Sequence, residues 1–282
     1  MLRNKAAVIG YPVKHSLSPA LHGYWLEKYN IYGEYGFLEI RPEDLTRKKL
    51  EELSHEGYIG FNLTVPHKEI ALNLVNEISD VAKEIGAVNT IKINDDGTLY
   101  GTNTDAFGFI ENIRSSAEEF DFTEGIAVVL GAGGAARAVV KGLIDSGVPE
   151  VVIANRTRST AEKLATEISG NITVINWDER ETLLDKTNLL VNTTTLGMDG
   201  QRELELNLDN LPKTAFVTDI VYKPLKTKLL LEAEKRGNPI VDGLGMLLYQ
   251  AVGGFELWFG VRPEVTDEVR GIIERKSTIA LK

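Results

Sequence analysis

Residues 126–136 read IAVVLGAGGAA, a run of five apolar residues that leads directly into a glycine-rich turn. The run has the length and character of a strand buried in a parallel sheet. Gly131, Gly133 and Ala136 form a G-x-G-x-x-A pattern, in which the first glycine permits a tight turn and the second lets a pyrophosphate approach the backbone. A helical stretch and a further strand follow, as a dinucleotide-binding unit requires. We therefore predict a Rossmann-type dinucleotide site; the alternative is a glycine turn that holds no ligand.

The end of the next predicted strand, 151–154, distinguishes between the two nicotinamide dinucleotides. NAD sites usually place Asp or Glu there, where the carboxylate binds the ribose hydroxyls. This chain has Asn155, Arg156, Thr157 and Arg158 instead, with no carboxylate among them. An arginine can stack on a 2′-phosphate or bind it with a forked pair of hydrogen bonds. The pattern favours NADP, the alternative being that both arginines are solvated surface residues.

Strand and helix patterns alternate on both sides of this turn, which predicts an α/β protein with mainly parallel sheets. A hairpin is expected where Asn94-Asp95-Asp96-Gly97 separates two short strands. Ser18 is a plausible N-cap, followed by Pro19 at the first helical position. The predicted strands are 6–9, 37–40, 59–64, 90–93, 98–100, 126–130, 151–154, 172–175, 189–191, 216–218 and 240–241. The predicted helices are 18–30, 42–56, 135–146, 160–169, 225–236, 243–260 and 264–276. A further helix is predicted to start with residues 67–75.

The length and composition limit the classes of protein to which the chain can belong. A length of 282 residues predicts about two domains, with 43% hydrophobic and 26% charged residues as in ordinary globular proteins. The net charge of -10 argues against a nucleic-acid partner, because phosphate contacts need a basic face. There is no cysteine, and we find neither a targeting segment nor an apolar run long enough to span a bilayer. We expect a cytoplasmic protein.

Three polar segments outside the glycine turn lie at or just beyond the ends of predicted strands. They are residues 15–19, residues 62–68, and Asn89 together with residues 103–105. Open α/β sheets bind ligands at such ends, and these hydroxyls, amides, one Lys and one Asp suit a polyol that carries a carboxylate. Lys68 could transfer the proton that accompanies hydride transfer, with Asp105 to orient it. Taken alone, Lys68 would be read as a solvated lysine.

The histidines do not add a metal site. His15, His22, His55 and His67 show no tight ligand spacing, so we predict no metal. His67, beside Lys68, is expected to be a packed or exposed bystander.

Taken together, these motifs resemble the shikimate dehydrogenase family, in order along nearly the whole chain. A resemblance in so many ordered segments is far more specific than any one of them, and it raises Lys68 to a candidate catalytic residue. The matching segments are 10–12 with 15–19, 62–68, 86–90, 101–105, 131–135, 155–157, 192–194, 197–198, 219–224 and 242–250.

The resemblance implies an oxidoreductase that reversibly reduces 3-dehydroshikimate to shikimate with NADPH, in chorismate and aromatic amino-acid biosynthesis. It implies a substrate domain at 1–105, a Rossmann NADP domain at 106–240 and, at 241–282, C-terminal helices that return to the first domain, with shikimate in the cleft. Lys68 would be the acid/base, assisted by Asp105. The implied substrate residues are Ser16, Ser18, Thr64, Asn89, Asp105, Tyr222 and Gln250. The implied cofactor residues are Asp80, Gly131, Ala132, Gly133, Gly134, Ala135, Asn155, Arg156, Thr157, Arg158, Thr160, Ile220, Gly243 and Met246.

The chain departs from the family pattern in two places. Thr160 stands where a second basic residue is common, so Arg158 would have to substitute for it, and Thr195 stands where proline is common. A quinate/shikimate dehydrogenase that uses NAD is the nearest rival interpretation, and a non-catalytic NADP-sensing module is a rival from another class. Because a sensor needs no proton donor, Lys68 and Asp105 favour an enzyme. The sequence leaves a monomer or a homodimer open.

Overall fold

The computed structural model describes residues 4–279, which divide into two compact units. The first contains the described residues up to Asp105 and those from Leu247 onward, and the second is Ala106–Met246. The chain therefore passes between the units twice. Among residues 4–279, no helix combines the length and the apolar character that crossing a membrane requires.

The first unit is built on a six-stranded mixed sheet with the order β2-β1-β3-β5-β6-β4. β1 pairs in parallel with both β2 and β3, whereas β3, β5 and β6 are antiparallel neighbours and β4 pairs in parallel with β6. The expected hairpin is present between β5 and β6. The strands are β1 (Asn4–Gly10), β2 (Gly33–Glu39), β3 (Tyr58–Leu63), β4 (Glu77–Ile78), β5 (Thr90–Ile93) and β6 (Leu99–Thr102).

The helices of this part are α1 (Ser18–Lys28), α2 (Arg47–His55) and α3 (Asp80–Ile85). The prediction of Ser18 as N-cap was wrong, because Ser18 is already helical and it is the Ser16 hydroxyl that accepts from the Ser18 N–H at 3.2 Å. The expected helix 42–56 is split into a short 3-10 helix, Pro42–Asp44, and α2, which Thr46 caps. Only a 3-10 helix, Ile70–Asn73, forms within 67–75.

The second unit is a Rossmann-type sheet of six strands in the order β12-β11-β10-β7-β8-β9, all parallel. From β7 the chain adds β8 and β9 on one side and then β10, β11 and β12 on the other. The switch point, where such sheets bind ligands, therefore lies between β7 and β10. The strands are β7 (Ile126–Leu130), β8 (Glu150–Asn155), β9 (Ile172–Asn176), β10 (Thr187–Asn192), β11 (Phe216–Asp219) and β12 (Ile240–Val241).

Helices cover this sheet, whose central strands are buried on both faces. The α4 helix was not among the predicted helices. The expected helix 225–236 begins only at Lys228, where Thr227 is the N-cap. The helices of this unit are α4 (Asp105–Ser116), α5 (Gly134–Asp145), α6 (Arg158–Glu167) and α7 (Lys228–Arg236), with short 3-10 turns at Trp177–Glu179 and Leu184–Lys186. The chain then passes along α8 (Leu244–Phe259) into the first unit, which also contains α9 (Asp267–Ile279).

The first unit contains a buried aromatic cluster around His22, on α1. The His22 ring stacks on Tyr35 with centroids 3.9 Å apart and also contacts Phe255 and Trp258 of α8. Among the described residues, neither ring nitrogen has a hydrogen-bond partner. Because burial penalises the charged form, the pKa of His22 falls from 6.5 to about 3.

This histidine makes the stability of the protein depend on pH. The folded protein binds a proton at His22 more weakly than the unfolded chain does. The contribution of neutral His22 to stability is therefore complete above pH 6.5 and is lost as the pH falls toward 3. Over that window we expect the free energy of unfolding to fall by up to about 1.4 kcal/mol per pH unit from this residue. Urea denaturation at several pH values measures the slope.

His22→Phe should reduce the slope, because phenylalanine keeps the stacking on Tyr35 but does not titrate. His15→Gln is the control, since it removes a histidine that is exposed rather than buried. Equal slopes in wild type and His22→Phe would contradict the prediction.

Candidate active site

A buried ion pair joins two of the polar segments of the first unit. Lys68 Nζ donates to Asp105 Oδ2 at 2.6 Å, and the two side chains are 14% and 5% exposed. Lys68 follows β3, and Asp105 is the first residue of α4. A charged pair so poorly hydrated depends on its mutual geometry and on further hydrogen bonds. The pair forms a centre that can give a proton to a neighbouring ligand or accept one from it.

Asn89, which directly precedes β5, connects this pair to other predicted residues. Its amide nitrogen Nδ2 donates to Asp105 Oδ1 at 2.9 Å and to Thr104 Oγ1 at 2.9 Å, and lies 3.4 Å from Gln250 Oε1 on α8. Its oxygen accepts from the Thr104 N–H at 2.9 Å. The structure thus brings Lys68, Asn89, Asp105 and Gln250 together within the first unit.

His67 holds the segment that carries Lys68. It is fully buried, and its ring Nε2 lies 2.8 Å from the Ile40 carbonyl oxygen. Burial lowers the pKa of His67, so the neutral ring donates from Nε2 to that carbonyl. The Lys68 carbonyl in turn accepts from the Val88 N–H at 2.8 Å. Of the two expectations for His67, the packed one is correct, and the ring anchors the segment.

A second layer of buried polar residues lies behind Asn89. Only Asn62 of this layer belongs to the polar segments that the sequence indicated. The Tyr35 hydroxyl donates to Asn62 Oδ1 at 2.6 Å, Asn62 Nδ2 donates to Thr90 Oγ1 at 3.1 Å, and the Thr90 hydroxyl donates to Asn89 Oδ1 at 2.9 Å. Burial raises the pKa of Tyr35 well above its usual range, against a hydrogen bond with Ser18 that lowers it. Polar residues inside otherwise apolar strands were the available signal.

The remaining substrate candidates of the first unit lie at the same end of its parallel strands. Ser16 and Ser18 follow β1, and Thr64 follows the adjacent β3, where its N–H donates to the Ile9 carbonyl at 2.9 Å. Ser18 is buried and Ser16 half-buried. Asp80 lies on α3 instead, where its exposed carboxylate pairs with Lys83 at 3.3 Å.

In the second unit, the glycine turn is shaped to admit an anion. Gly131 has a φ of +109°, and a Cβ there would lie 2.6 Å from Thr193 Oγ1. Gly133 is the N-cap of α5 and offers no side-chain cap, so the first amides of a 12-residue helix stay available. A Cβ at Gly133 would meet no atom within 4 Å, which leaves open space beside those amides. These residues fit the pyrophosphate of a dinucleotide.

Two arginines follow β8, and they differ in whether the guanidinium already forms hydrogen bonds. Arg156 is exposed and has no hydrogen-bond partner among residues 4–279. Arg158 donates to Glu162 at 2.7 Å, to Asn176 at 3.1 Å and to the Val174 carbonyl at 3.3 Å. Arg156 is therefore the guanidinium that is ready for an added phosphate.

The other cofactor candidates of the second unit are placed as follows. Asn155 donates from Nδ2 to the Thr157 carbonyl at 2.9 Å, which shapes the turn into α6, where Thr160 is exposed. Gly134 and Ala135 begin α5, Ala132 is buried, and Met246 belongs to the core. Ile220 and Tyr222 follow β11; burial raises the pKa of Tyr222, and Gly243 packs against the Ile220 carbonyl.

A Rossmann sheet with an open glycine turn, and a separate unit with a buried lysine–aspartate centre, define the class of dinucleotide-dependent oxidoreductases. Family models match most of the chain: "Shikimate dehydrogenase substrate binding domain" at residues 8–91, "Shikimate / quinate 5-dehydrogenase" at 114–220 and "Shikimate 5'-dehydrogenase C-terminal domain" at 243–270. The chain belongs to the shikimate dehydrogenase family.

Individual relatives agree with this assignment. The shikimate dehydrogenase (NADP(+)) of Paramagnetospirillum magneticum is 54% identical over 268 residues, which cover 95% of this chain and 97% of that protein. The crystal structure of the Thermus thermophilus enzyme, in complex with NADP(H) and shikimate, has 36% identity and a TM-score of 0.84 over 98% of this chain and 99% of its own. Quinate dehydrogenase from Corynebacterium glutamicum, in complex with NAD, has 28% identity and a TM-score of 0.88, with 99% of both chains covered.

The two glycines of the turn should respond differently to substitution by alanine. Gly131→Ala places a Cβ at positive φ and against Thr193, so we expect a loss of about 1–3 kcal/mol in the free energy of unfolding. Gly133→Ala has room for its methyl group and should keep wild-type stability, but that methyl occupies the space beside the helix amides. Urea denaturation and calorimetric titration with the dinucleotide measure the two effects.

Gly133→Ala is the matched control for Gly131→Ala in stability, and the wild type is the control in binding. Weakened dinucleotide binding is expected for Gly133→Ala at unchanged stability. Unweakened binding by this variant would show that the space beside the α5 amides does not receive the anion.

Proposed function

We propose that this chain catalyses the reversible NADPH-dependent reduction of 3-dehydroshikimate to shikimate, in chorismate and aromatic amino-acid biosynthesis. The observation that carries the proposal is the buried Lys68–Asp105 pair, which Asn89 ties to Gln250. A module that only senses a nucleotide has no use for a buried proton donor and acceptor of this kind. The family supplies the substrate, and Arg156 without an acidic neighbour favours NADP.

Bound NADPH supplies a hydride to the carbonyl carbon of 3-dehydroshikimate. Lys68 gives a proton from Nζ to the carbonyl oxygen, which becomes the hydroxyl of shikimate. In the reverse direction Lys68 accepts the hydroxyl proton. Asp105 holds the Lys68 ammonium at 2.6 Å and balances its charge, while Asn89 keeps the second carboxylate oxygen in place.

The first unit would bind the rest of the substrate. We assign the substrate carboxylate to Ser16 and Ser18, because hydroxyl groups donate well to a carboxylate. Tyr222, a residue of the second unit, is a further candidate for this group. Thr64, Asn89, Asp105 and Gln250 would bind the ring hydroxyls. The contacts that join Asn89 to Asp105 and to Gln250 support the assignment.

The second unit would bind the cofactor. The turn 131–135 would cradle the pyrophosphate, and residues 155–160 would bind the phosphate of the adenosine, with Arg156 as the main charge. Ile220, Gly243 and Met246 would lie near the nicotinamide. Asp80, on α3 of the first unit, is a further cofactor candidate. On this division, the first unit, with its described residues up to Asp105 and from Leu247, would be the substrate domain, and the second, Ala106–Met246, the NADP domain. The predicted bounds 1–105, 106–240 and 241–282 include residues 1–3 and 280–282, which lie outside the described residues.

We further propose that the enzyme works in the cytoplasm as a monomer or homodimer, without a nucleic-acid or membrane partner. One assay separates the proposed function from its rivals: absorbance of the reduced nicotinamide with shikimate or quinate, each combined with NADP⁺ or NAD⁺. Turnover of shikimate with NADP⁺ is expected. A preference for quinate with NAD⁺ would favour the rival dehydrogenase, and no turnover would favour a sensing module.

Removing the proposed acid/base should slow turnover strongly. Lys68→Ala should lower kcat by ~10²–10⁴, the usual contribution of a positioned acid/base. NADP⁺ affinity, measured by calorimetry, should stay at the wild-type value, because Lys68 belongs to the other unit.

Lys83→Ala is the matched control, since Lys83 also pairs with an aspartate but is exposed on α3. It should retain wild-type kcat. A Lys68→Ala enzyme that retains most of the wild-type turnover would remove Lys68 from the mechanism.

Cofactor choice should depend on Arg156. Arg156→Ala should weaken NADP⁺ binding by roughly 1.5–3 kcal/mol, the value of a charged hydrogen bond, and leave NAD⁺ binding nearly unchanged. Dissociation constants for both cofactors measure the difference. An equal loss for both would show that Arg156 does not recognise the 2′-phosphate.

A further inference from the structure

Asp219, the last residue of β11, is a fully buried carboxylate outside the site described above. Its oxygens accept from Asn192 Nδ2 at 3.0 Å each, from the Val221 N–H at 2.9 Å and from the Thr227 hydroxyl at 2.8 Å. Burial raises the pKa of Asp219 to about 6, whereas the hydrogen bonds from Asn192, Val221 and Thr227 favour the charged carboxylate. In that form it accepts from every one of these donors.

The partner Asn192 extends this arrangement into the loop after β10. Its Oδ1 accepts from the Thr194 N–H at 3.0 Å and from the Thr194 hydroxyl at 2.7 Å, and its Nδ2 also lies 3.1 Å from the Leu196 carbonyl. The Asn192 side chain therefore shapes residues 193–197, while Asp219 fixes the orientation of that side chain.

The segment after β11 is held by the same two residues. Asp219 accepts from the Val221 N–H, and the Asn192 carbonyl accepts from the Ile220 N–H at 3.1 Å. The Ile220 carbonyl packs so closely against Gly243 that a Cβ at Gly243 would overlap it. Asp219 thus lies beneath two loops, 193–197 and 220–222, at the carboxyl ends of neighbouring strands.

The topology indicates what those loops face. In a doubly wound sheet each half binds one mononucleotide, on either side of the switch point. The arginine for the adenosine phosphate follows β8, on one side of β7, and the loops above Asp219 follow β10 and β11, on the other side. The half of the dinucleotide that carries the nicotinamide belongs with the second set.

We propose that Asp219 is a positioning residue for the nicotinamide half of the cofactor, because its carboxylate holds both loops in their binding arrangement. Asp219 is buried beneath the loops and acts through Asn192 and the backbone. The inference rests on the proposed function, since the occupant of these loops is the NADP of that reaction.

The first test compares Asp219→Asn with Asn238→Ala. Asparagine in place of Asp219 would turn an N–H₂ toward the donors of Asn192 and Thr227. Asn238 is also buried, and its Nδ2 donates to the Pro212 and Ala215 carbonyls at 2.7 and 2.9 Å, just before the amino end of β11. Both variants remove buried hydrogen bonds and should lower the melting temperature.

Only Asp219→Asn should raise the Kd for NADP⁺, by about tenfold or more, as expected when charge-assisted hydrogen bonds are lost. In the protein without cofactor, the amides of Thr194 and Val221 should exchange hydrogen faster in this variant. Asn238→Ala should leave the Kd and both exchange rates unchanged. Equal effects of the two variants on Kd would overturn the proposal.

Thr227 provides a second test if Asp219→Asn does not fold. Thr227→Val removes the hydroxyl that donates to Asp219, and Thr227→Ser keeps it. The serine variant should restore NADP⁺ affinity that the valine variant loses, and equal Kd values in both would contradict the proposal. Absence of shikimate turnover in the wild type would instead refute the proposed function, whatever these variants show.

Discussion

The backbone groups at the ends of buried strands must find partners once the chain leaves the sheet. Both units meet this requirement with buried Asn and Asp side chains. In the first unit, Asn89 accepts from the Thr104 N–H, and in the second, Asn192 and Asp219 accept from the N–H groups of Thr194 and Val221. Amides and carboxylates thus collect at the carboxyl ends of the strands, where open α/β sheets bind their ligands. The residues that complete the fold there are the same ones that shape the proposed sites.

Because the Lys68–Asp105 pair is buried, its geometry is held by its hydrogen-bond partners rather than by water. Two charges with so little contact with water are costly unless each has a partner in good geometry. One carboxylate oxygen of Asp105 accepts a hydrogen bond from Lys68 and the other accepts one from Asn89, so both oxygens have partners within the first unit. The position of Lys68 is maintained from behind by His67, whose ring is tied to the Ile40 carbonyl. The proposed proton donor is thus held in a position that needs little rearrangement when a ligand binds.

The protein has a net charge of -10, yet its second unit is suited to a polyanionic cofactor. Positive charge is concentrated at the places where the phosphate groups would bind. The uncapped amides of α5 supply partial positive charge at the glycine turn, and Arg156 supplies a full charge after β8. Arg158, next to it, is neutralised by Glu162, which leaves a single guanidinium available in that turn. Local geometry therefore outweighs the overall charge at short range.

Short-range sequence patterns were sufficient to predict many of the strands, helices and turns. Gly131, at positive φ before an uncapped helix, and the hairpin at 94–97 are specified by a few neighbouring residues, so both were predictable and both are confirmed. The same reasoning failed for Ser18 as a helix cap and overlooked α4, because the alternatives differ little in local energy and packing decides between them. Nor could it reveal which polar residues meet. Lys68 and Asp105 are 37 positions apart, and Asn89 and Gln250 are 161 apart. A segment's own residues determine its turns and helical tendency, whereas such distant contacts exist only once sheet order and burial have brought the segments together.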